Sequence, residues 1–411
     1  HFTVSPFIEG LKLVKLPDGK VRLWKPDLKP YVRNINIATD SQPSAEGLHT
    51  YGRDQILLLE GQPLELKKDP YPGKYRIQHP RRPDAYQPEI RHNGSGGWRH
   101  EVEQPRGWRQ PRLMRRLGPS MDAFEDIELE QIRTVCDVDD DALRRVHSES
   151  EAPPAVLLDT ASQFQAYADA VTVSELIRSG NLSSPLAQYA VPLTVELPGW
   201  PAAWAIEVVE GSGAAAKRVR YAPVGPPATQ VINLDMADLM AGKLPERVVQ
   251  ALSREQVAHI LRQFFQYIPE DNSARVTLVQ SALADFAVGQ RARLFNSLYA
   301  GQAPAADSAL QVLQRDFKGL SNAMGRELLD AAPAAALASL KNTGKLPLAL
   351  ARQARGMQRQ MRLVRAYQGL YLEALAGPDT ETLVLNTLET LPGWQDDLRL
   401  EVREHDYDGT L

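Results

Sequence analysis

The residues best suited to chemistry fall in one short run, Arg91-His92-Asn93-Gly94-Ser95-Gly96-Gly97-Trp98-Arg99-His100-Glu101. An Asn-Gly pair followed by further glycines signals a tight connection, so the run predicts a β-hairpin across which His92 and His100 face each other. Two imidazoles with Glu101 or Glu103 could hold a metal ion, and a glycine-rich turn beside arginines could hold an anion. The spacing matches no helical zinc motif, and the glycines lack both the Lys-Ser/Thr of a phosphate loop and the G-x-G-x-x-G order. The run therefore predicts a structural hairpin anchored by Trp98, with Arg99 and His100 reaching acidic or backbone acceptors and no metal bound.

Cys136 is the one cysteine, and it would need a cationic neighbour or a base to become a nucleophile. Its neighbours are acidic, and the helical spacing from Ile132 and Val135 predicts a small buried side chain. The run Asp137 to Asp141 imitates the start of a calcium loop, but Ala142 stands where glycine is needed and Ser148 where a bidentate Glu is needed. It predicts instead an N-cap, from Asp139 or Asp140, for a short helix carrying Leu143 and Val146. Arg352, Arg355, Arg359 and Arg362 form a basic stripe on a helix, away from an apolar stripe of Leu350, Met357, Met361, Val364 and Tyr371. Such a stripe could touch phosphate or lipid headgroups; on a slightly acidic chain the expectation is a solvated face paired with acidic neighbours. There is no Ser/His/Asp order and no H-E-x-x-H, so no catalytic residue, metal ligand or cofactor is predicted.

The elements that hold these groups follow from turns and periodicity. The turns Pro17-Asp18-Gly19, Glu60-Gly61 and Pro70 to Gly73 separate short alternating runs and predict hairpins. Pro80, Pro83 and Pro88 mark an ordered surface loop. Thr160 with Gln163 predicts a capping box for a helix ending near Gly180, and Val191 to Tyr221 alternates like a strand or hairpin. Ser253 with Gln256 caps a helix whose apolar face is Val257, Ile260, Leu261, Phe264, Phe265 and Ile268. A helical hairpin is predicted across 279–330, broken near Gly301 to Pro304, with an Ala-rich stretch after it. Leu-Pro-Gly-Trp occurs at 197–200 and again at 391–394, and Trp204, Ile206 and Val208 align with Leu398, Leu400 and Val402. This predicts a duplicated helix-turn-strand module in which Trp200 and Trp394 are buried alike.

The predicted class is α+β, mainly α. Its five stretches are a β-hairpin-rich region at 1–118, a helical region at 119–190, a β element with the first module at 191–229, a helical domain at 230–390 and a truncated second module at 391–411. A length of 411 residues suits two to four domains, and 43% hydrophobic with 24% charged residues excludes wholesale disorder. The net charge of -4 gives no global attraction for nucleic acid or anionic lipid. A single cysteine excludes an intrachain disulfide framework, and no stretch approaches the roughly 20 apolar residues that span a bilayer. The start at His1, with no signal peptide, suggests a piece of a longer protein.

Several runs together resemble a family. They are Tyr86-Gln87-Pro88-Glu89, His92 to Glu101, Glu103-Gln104-Pro105, Leu113 to Gly118, Leu143 to His147, Pro153 to Thr160, both Leu-Pro-Gly-Trp copies and Arg365 to Leu372. Spread over most of the chain, they resemble the large bacterial secreted toxin and effector proteins with a dermonecrotic-toxin-type domain. The resemblance implies a non-catalytic scaffold and targeting region of a secreted virulence effector delivered to a host cell. Its partners would be a host protein or other parts of the same long chain, with no nucleic acid, and membrane contact is not favoured. Many such proteins add leucine-rich repeats and a novel-class ubiquitin-ligase domain that uses a Cys-x-Asp motif. Cys136-Asp137-Val138 has Val in place of that Asp and the repeats are absent, so ligase chemistry does not transfer to these residues. The rival readings are a ligase effector whose catalytic domain lies downstream, a hydrolase using the His92/His100 hairpin, and a membrane- or receptor-binding module using the arginine stripe.

Overall fold

The computed structural model describes residues 12–395 and 398, apart from 25–26, 39–40, 45, 71–73, 102, 182–184, 212, 214–215 and 303–306. It is mainly α with β, 51% helix and 15% strand, the class expected. Contacts gather the chain into two compact units, residues 1–161 with 307–367 and residues 162–306 with 368–411. Each unit thus combines segments far apart in sequence, whereas composition and turn signals divide the chain only into consecutive stretches.

In the first unit, β1 (Lys12–Lys15) and β2 (Val21–Trp24) pair around the Pro17-Asp18-Gly19 turn. An antiparallel meander follows, of β3 (Leu48–Tyr51), β4 (Asp54–Leu59), β5 (Gln62–Lys68), β6 (Lys74–Ile77), β7 (Glu89–His92) and β8 (Trp98–His100). Strand alternation puts Leu57, Leu64, Leu66, Tyr75, Ile77, Ile90 and Trp98 into one buried cluster with Tyr31 and Leu48. Between β4 and β5, Glu60 and Gly61 both have positive φ, 50° and 78°, the geometry whose twist matches a two-residue hairpin. Helices α1 (Arg112–Arg115), α2 (Asp126–Val135) and α3 (Asp140–Glu149) come next. Asp139 caps α3, accepting the Ala142 N–H at 2.7 Å, and Leu143 and Val146 are buried as the spacing requires.

Helix α4 (Ala155–Ser179) corrects the expected start. Thr160 and Gln163 are buried inside it and do not cap it. Pro153 and Pro154 set the true start, because proline is tolerated only at the first turn of a helix, and Glu327 accepts the Ala155 N–H at 3.0 Å.

In the second unit, α5 (Ala190–Val195) replaces the strand expected from Val191. Four of its apolar residues, Val191, Leu193, Val195 and Ala190, are all buried, so its pattern carries no amphipathic period to read. The hairpin of β9 (Trp204–Glu210) and β10 (Lys217–Tyr221) is as expected, and β11 (Gln230–Asp235) adds parallel to β9 on its other edge. Helices α6 (Met236–Met240), α7 (Leu244–Ala251), α8 (Arg254–Ile260), α9 (Asn272–Gly289) and α10 (Arg291–Gln302) complete the core around Ile206, Val208, Ile232 and Leu234.

Ser253 and Gln256 do form the capping box of α8, but the helix stops at Ile260 and Arg262 takes φ +50°. Phe264 and Phe265 are therefore 77% and 45% exposed, and only Ile268 returns to the core. Tertiary contacts end the helix. The Leu-Pro-Gly-Trp turn abuts its last turn so tightly that a Cβ on Gly199 would overlap the His259 carbonyl oxygen. Arg254 in turn donates to the Ile268 carbonyl from Nε at 2.8 Å and lies over the Phe265 ring.

Helices α11 (Ser308–Asp316), α12 (Asn322–Asp330), α13 (Ala334–Thr343) and most of α14 (Leu348–Gln368) belong to the first unit, and α15 (Pro378–Glu389) to the second. On α14, Leu350, Ala354, Met361 and Val364 are buried; Tyr371 lies past the helix end and is exposed, contrary to the expected stripe. The two Leu-Pro-Gly-Trp segments share one turn. The Trp200 N–H donates to Leu197 O at 2.9 Å and the Trp394 N–H to Leu391 O at 3.1 Å, with Gly199 at φ +85° and Gly393 at φ +93°. A left-handed third residue after proline makes these type II turns, each following a helix. Burial differs: Trp200 is in the core and bonded through Nε1 to Trp204 O at 2.9 Å, whereas Trp394 is half-buried. The second strand falls on residues that lie, except Leu398, outside the described ones.

Candidate functional site

The glycine-rich run is a hairpin, but its register overturns the facing histidines. His92 pairs with Trp98 and His100 with Ile90, because Asn93 closes the loop by accepting the Gly97 N–H at Oδ1. Each imidazole has its own surroundings. His92 lies against the rings of Trp98 and Tyr75, with Nδ1 accepting the Gly94 N–H at 3.1 Å. His100 Nε2 is 3.7 Å from Glu103. Glu101 is also engaged elsewhere, accepting from Tyr86 Oη at 2.5 Å and Lys12 Nζ at 2.8 Å. Burial and the Glu101 carboxylate push the Tyr86 phenol up. Trp98 is the anchor expected, buried and donating through Nε1 to Glu46 O at 2.7 Å. Arg99 departs from expectation, donating from Nη2 to the Ser150 hydroxyl at 3.5 Å.

Asn93 and Arg116 tie this hairpin to the turn after α1. Asn93 Nδ2 donates to Leu117 O at 2.8 Å. Arg116, 7% exposed, clasps Glu103 with Nη1 at 2.7 Å and Nη2 at 2.8 Å, and also donates from Nη2 to Trp98 O at 2.5 Å. A bidentate guanidinium–carboxylate pair is the strong, orienting kind. Burial disfavours the Glu103 charge, but Arg116 outweighs it and holds the carboxyl below the usual carboxylate range. The Arg116 and Arg112 guanidinium groups lie 4.9 and 4.8 Å from the Trp108 ring centre, and His147 packs against the same ring at a tilt of 57°. His147 Nε2 donates to Leu113 O at 2.7 Å. Burial lowers the pKa of both His100 and His147.

The void beside Asn93, Arg99, Arg116 and His147 measures about 10 Å³, room for about one water and nothing larger. Among the described residues no three His, Cys, Asp or Glu side chains converge as metal ligands. The cluster's chemistry is that of a polar lock.

Cys136 closes α2 and is 3% exposed, with Sγ 3.7 Å from Val156 O. Burial pushes its thiol up to about 12, with a smaller push from Asp159 and an opposing hydrogen bond from Thr160. A thiol so poised is not a nucleophile near neutral pH.

The arginine stripe carries the distinctive geometry. With the end of α11 and the loop after α13 it borders a groove of about 780 Å³ lined by Arg315, Asp316, Phe317, Lys345, Arg355, Gln358, Arg359 and Arg362. Arg352, on the same helix, does not line it. Asp316 is the one carboxylate in the lining, it bonds Arg315 at 2.8 Å, and no ion pair joins Arg352, Arg355 or Arg359 to an acid among the described residues. The stripe was legible in sequence, but Arg315, Lys345 and Phe317 were not, because no local spacing links them to α14. No family model matches the chain, and no curated protein or solved structure matches it either.

Proposed function

We propose that the chain is a non-catalytic scaffold and targeting region of a large secreted bacterial toxin or effector, acting on a host protein or other parts of a longer chain. The observation that supports this reading is where the runs resembling that family come together. Tyr86 bonds Glu101, Asn93 bonds Leu117, Arg116 bonds Glu103 and Trp98, and His147 bonds Leu113. These runs thus satisfy one another inside a buried lock, which suits a scaffold and leaves little capacity for a substrate.

A transfer assay tests it. The 411-residue chain, incubated with ubiquitin, activating and conjugating enzymes and ATP without reductant, should form no thioester, and Cys136 should resist a thiol reagent at pH 8 until the chain is unfolded. A ubiquitin adduct that reductant removes and that Cys136→Ala abolishes would defeat the non-catalytic reading.

A further inference from the structure

We propose that the groove between α11, the Lys345–Leu346 loop and α14 binds a small ligand carrying several phosphate groups. Five basic side chains face it against one carboxylate, on a chain whose net charge is -4. Arg315 and Asp316 neutralise each other, and Arg315 also donates to Gly344 O at 3.4 Å. That leaves Lys345, Arg355 and Arg359 with no acid in the lining to balance them. Like charges gathered on one wall weaken a fold slightly, and a bound anion reverses the sign of that effect.

Three features select the ligand. From Arg355 to Arg359 the helix rises about 6 Å at about 1.5 Å per residue, the span of two neighbouring phosphates. Guanidinium groups outnumber the single ammonium, and their planar fork grips phosphate oxygens in pairs. The buried ring of Phe317 gives the groove an apolar floor, and its volume suits a small molecule. An extended polyanion would feel the repulsion of the whole acidic chain, whereas a compact ligand feels mainly the local cations. The groove is also preformed, because Gln358 Nε2 donates to Lys318 O at 3.0 Å and Arg365 Nη2 to Gly319 O at 2.7 Å, fixing α14 to the turn after α11.

The inference stands on the groove alone and does not need the toxin reading. Calorimetric titration of the whole chain with inorganic tripolyphosphate, and flotation with phosphatidylcholine vesicles with and without phosphatidylinositol bisphosphate, test it at about 0.1 M salt. Binding to at least one probe is expected. Arg355→Gln/Arg359→Gln should weaken it at least about tenfold, equal to about 1.4 kcal/mol. Arg352→Gln, on the same helix outside the groove, should leave it unchanged, and circular dichroism should show all variants folded. Tripolyphosphate binding without vesicle capture identifies a free phosphorylated ligand; capture that requires the bisphosphate identifies a lipid headgroup. The proposal is overturned if neither probe binds, if Arg352→Gln weakens binding as much as the double variant, or if a decaglutamate peptide competes as well as tripolyphosphate.

Discussion

Arg116→Ala is expected to cost about 3 kcal/mol of folding stability, because it leaves the buried Glu103 carboxylate with only the half-exposed Arg112 at 3.1 Å and the His100 N–H at 3.0 Å. Glu103 is 6% exposed at its side chain, and Arg116 supplies two of its short hydrogen bonds. Glu103→Ala should cost a similar amount, because the buried guanidinium then keeps only the exposed Glu60, at 3.1 Å, and the Trp98 carbonyl. Glu103→Leu/Arg116→Met should recover much of the loss, since an apolar pair of similar bulk removes both desolvation penalties. Urea unfolding followed by Trp fluorescence reads the three variants, and a single variant as stable as the parent would show that the pair is dispensable.

Acid should weaken the same region. His100 and His147 have folded pKa values below the ordinary 6.5, so the unfolded chain binds more protons as the pH falls below that value. Their contribution is fully present above pH 6.5 and is lost as the pH drops toward their folded pKa values. Glu103, depressed by Arg116, contributes above its unfolded value of 4.5, and that part disappears only on further acidification. Unfolding midpoints at pH 7.5 and pH 5 should therefore fall with acid, and His147→Gln should flatten the slope; a midpoint that rises at pH 5 contradicts the assignment.

Gly97→Ala carries the second large effect, about 3 kcal/mol or loss of folding. A Cβ there would overlap Asn93 Nδ2 and lie 2.5 Å from Leu117 O and 2.6 Å from Arg116 O. Two of those atoms are backbone and the third is held in a hydrogen bond, so none can retreat without opening the lock. Gly94→Ala is the control: its φ is +81° but nothing lies within 4 Å, so strain alone should cost about 1 kcal/mol. Equal midpoints for the two variants would mean that the close approach of hairpin and turn does not hold in solution.

The local signals in this chain were readable where one turn or cap decides the outcome. Asp139 before Leu143, the Glu60-Gly61 hairpin and the Pro-Gly turns before Trp200 and Trp394 depend on a few adjacent residues. Apolar period misled where tertiary contact intervened: Phe264 and Phe265 continue the helical spacing of α8, yet the Gly199 turn stops the helix before them. The strand pattern at Val191 failed for the opposite reason, because a helix buried on every side has no polar face to betray its period. Of the candidate sites, the hairpin was visible but its register was not, since Asn93 fixes which residues pair through bonds to Gly97 and the distant Leu117. The arginine stripe was visible as a stripe, and only the fold brings Arg315 and Lys345 to it.

In the proposed division of roles, Arg116 and Glu103 hold the fold while Arg355 and Arg359 meet the ligand. Tripolyphosphate titration and urea unfolding of Glu103→Leu/Arg116→Met beside Arg355→Gln/Arg359→Gln test that separation directly. The lock variant should bind like the parent, and the groove variant should keep the parent's unfolding midpoint while binding at least about tenfold more weakly. A stably folded lock variant that no longer binds, or a groove variant that binds like the parent, would contradict it.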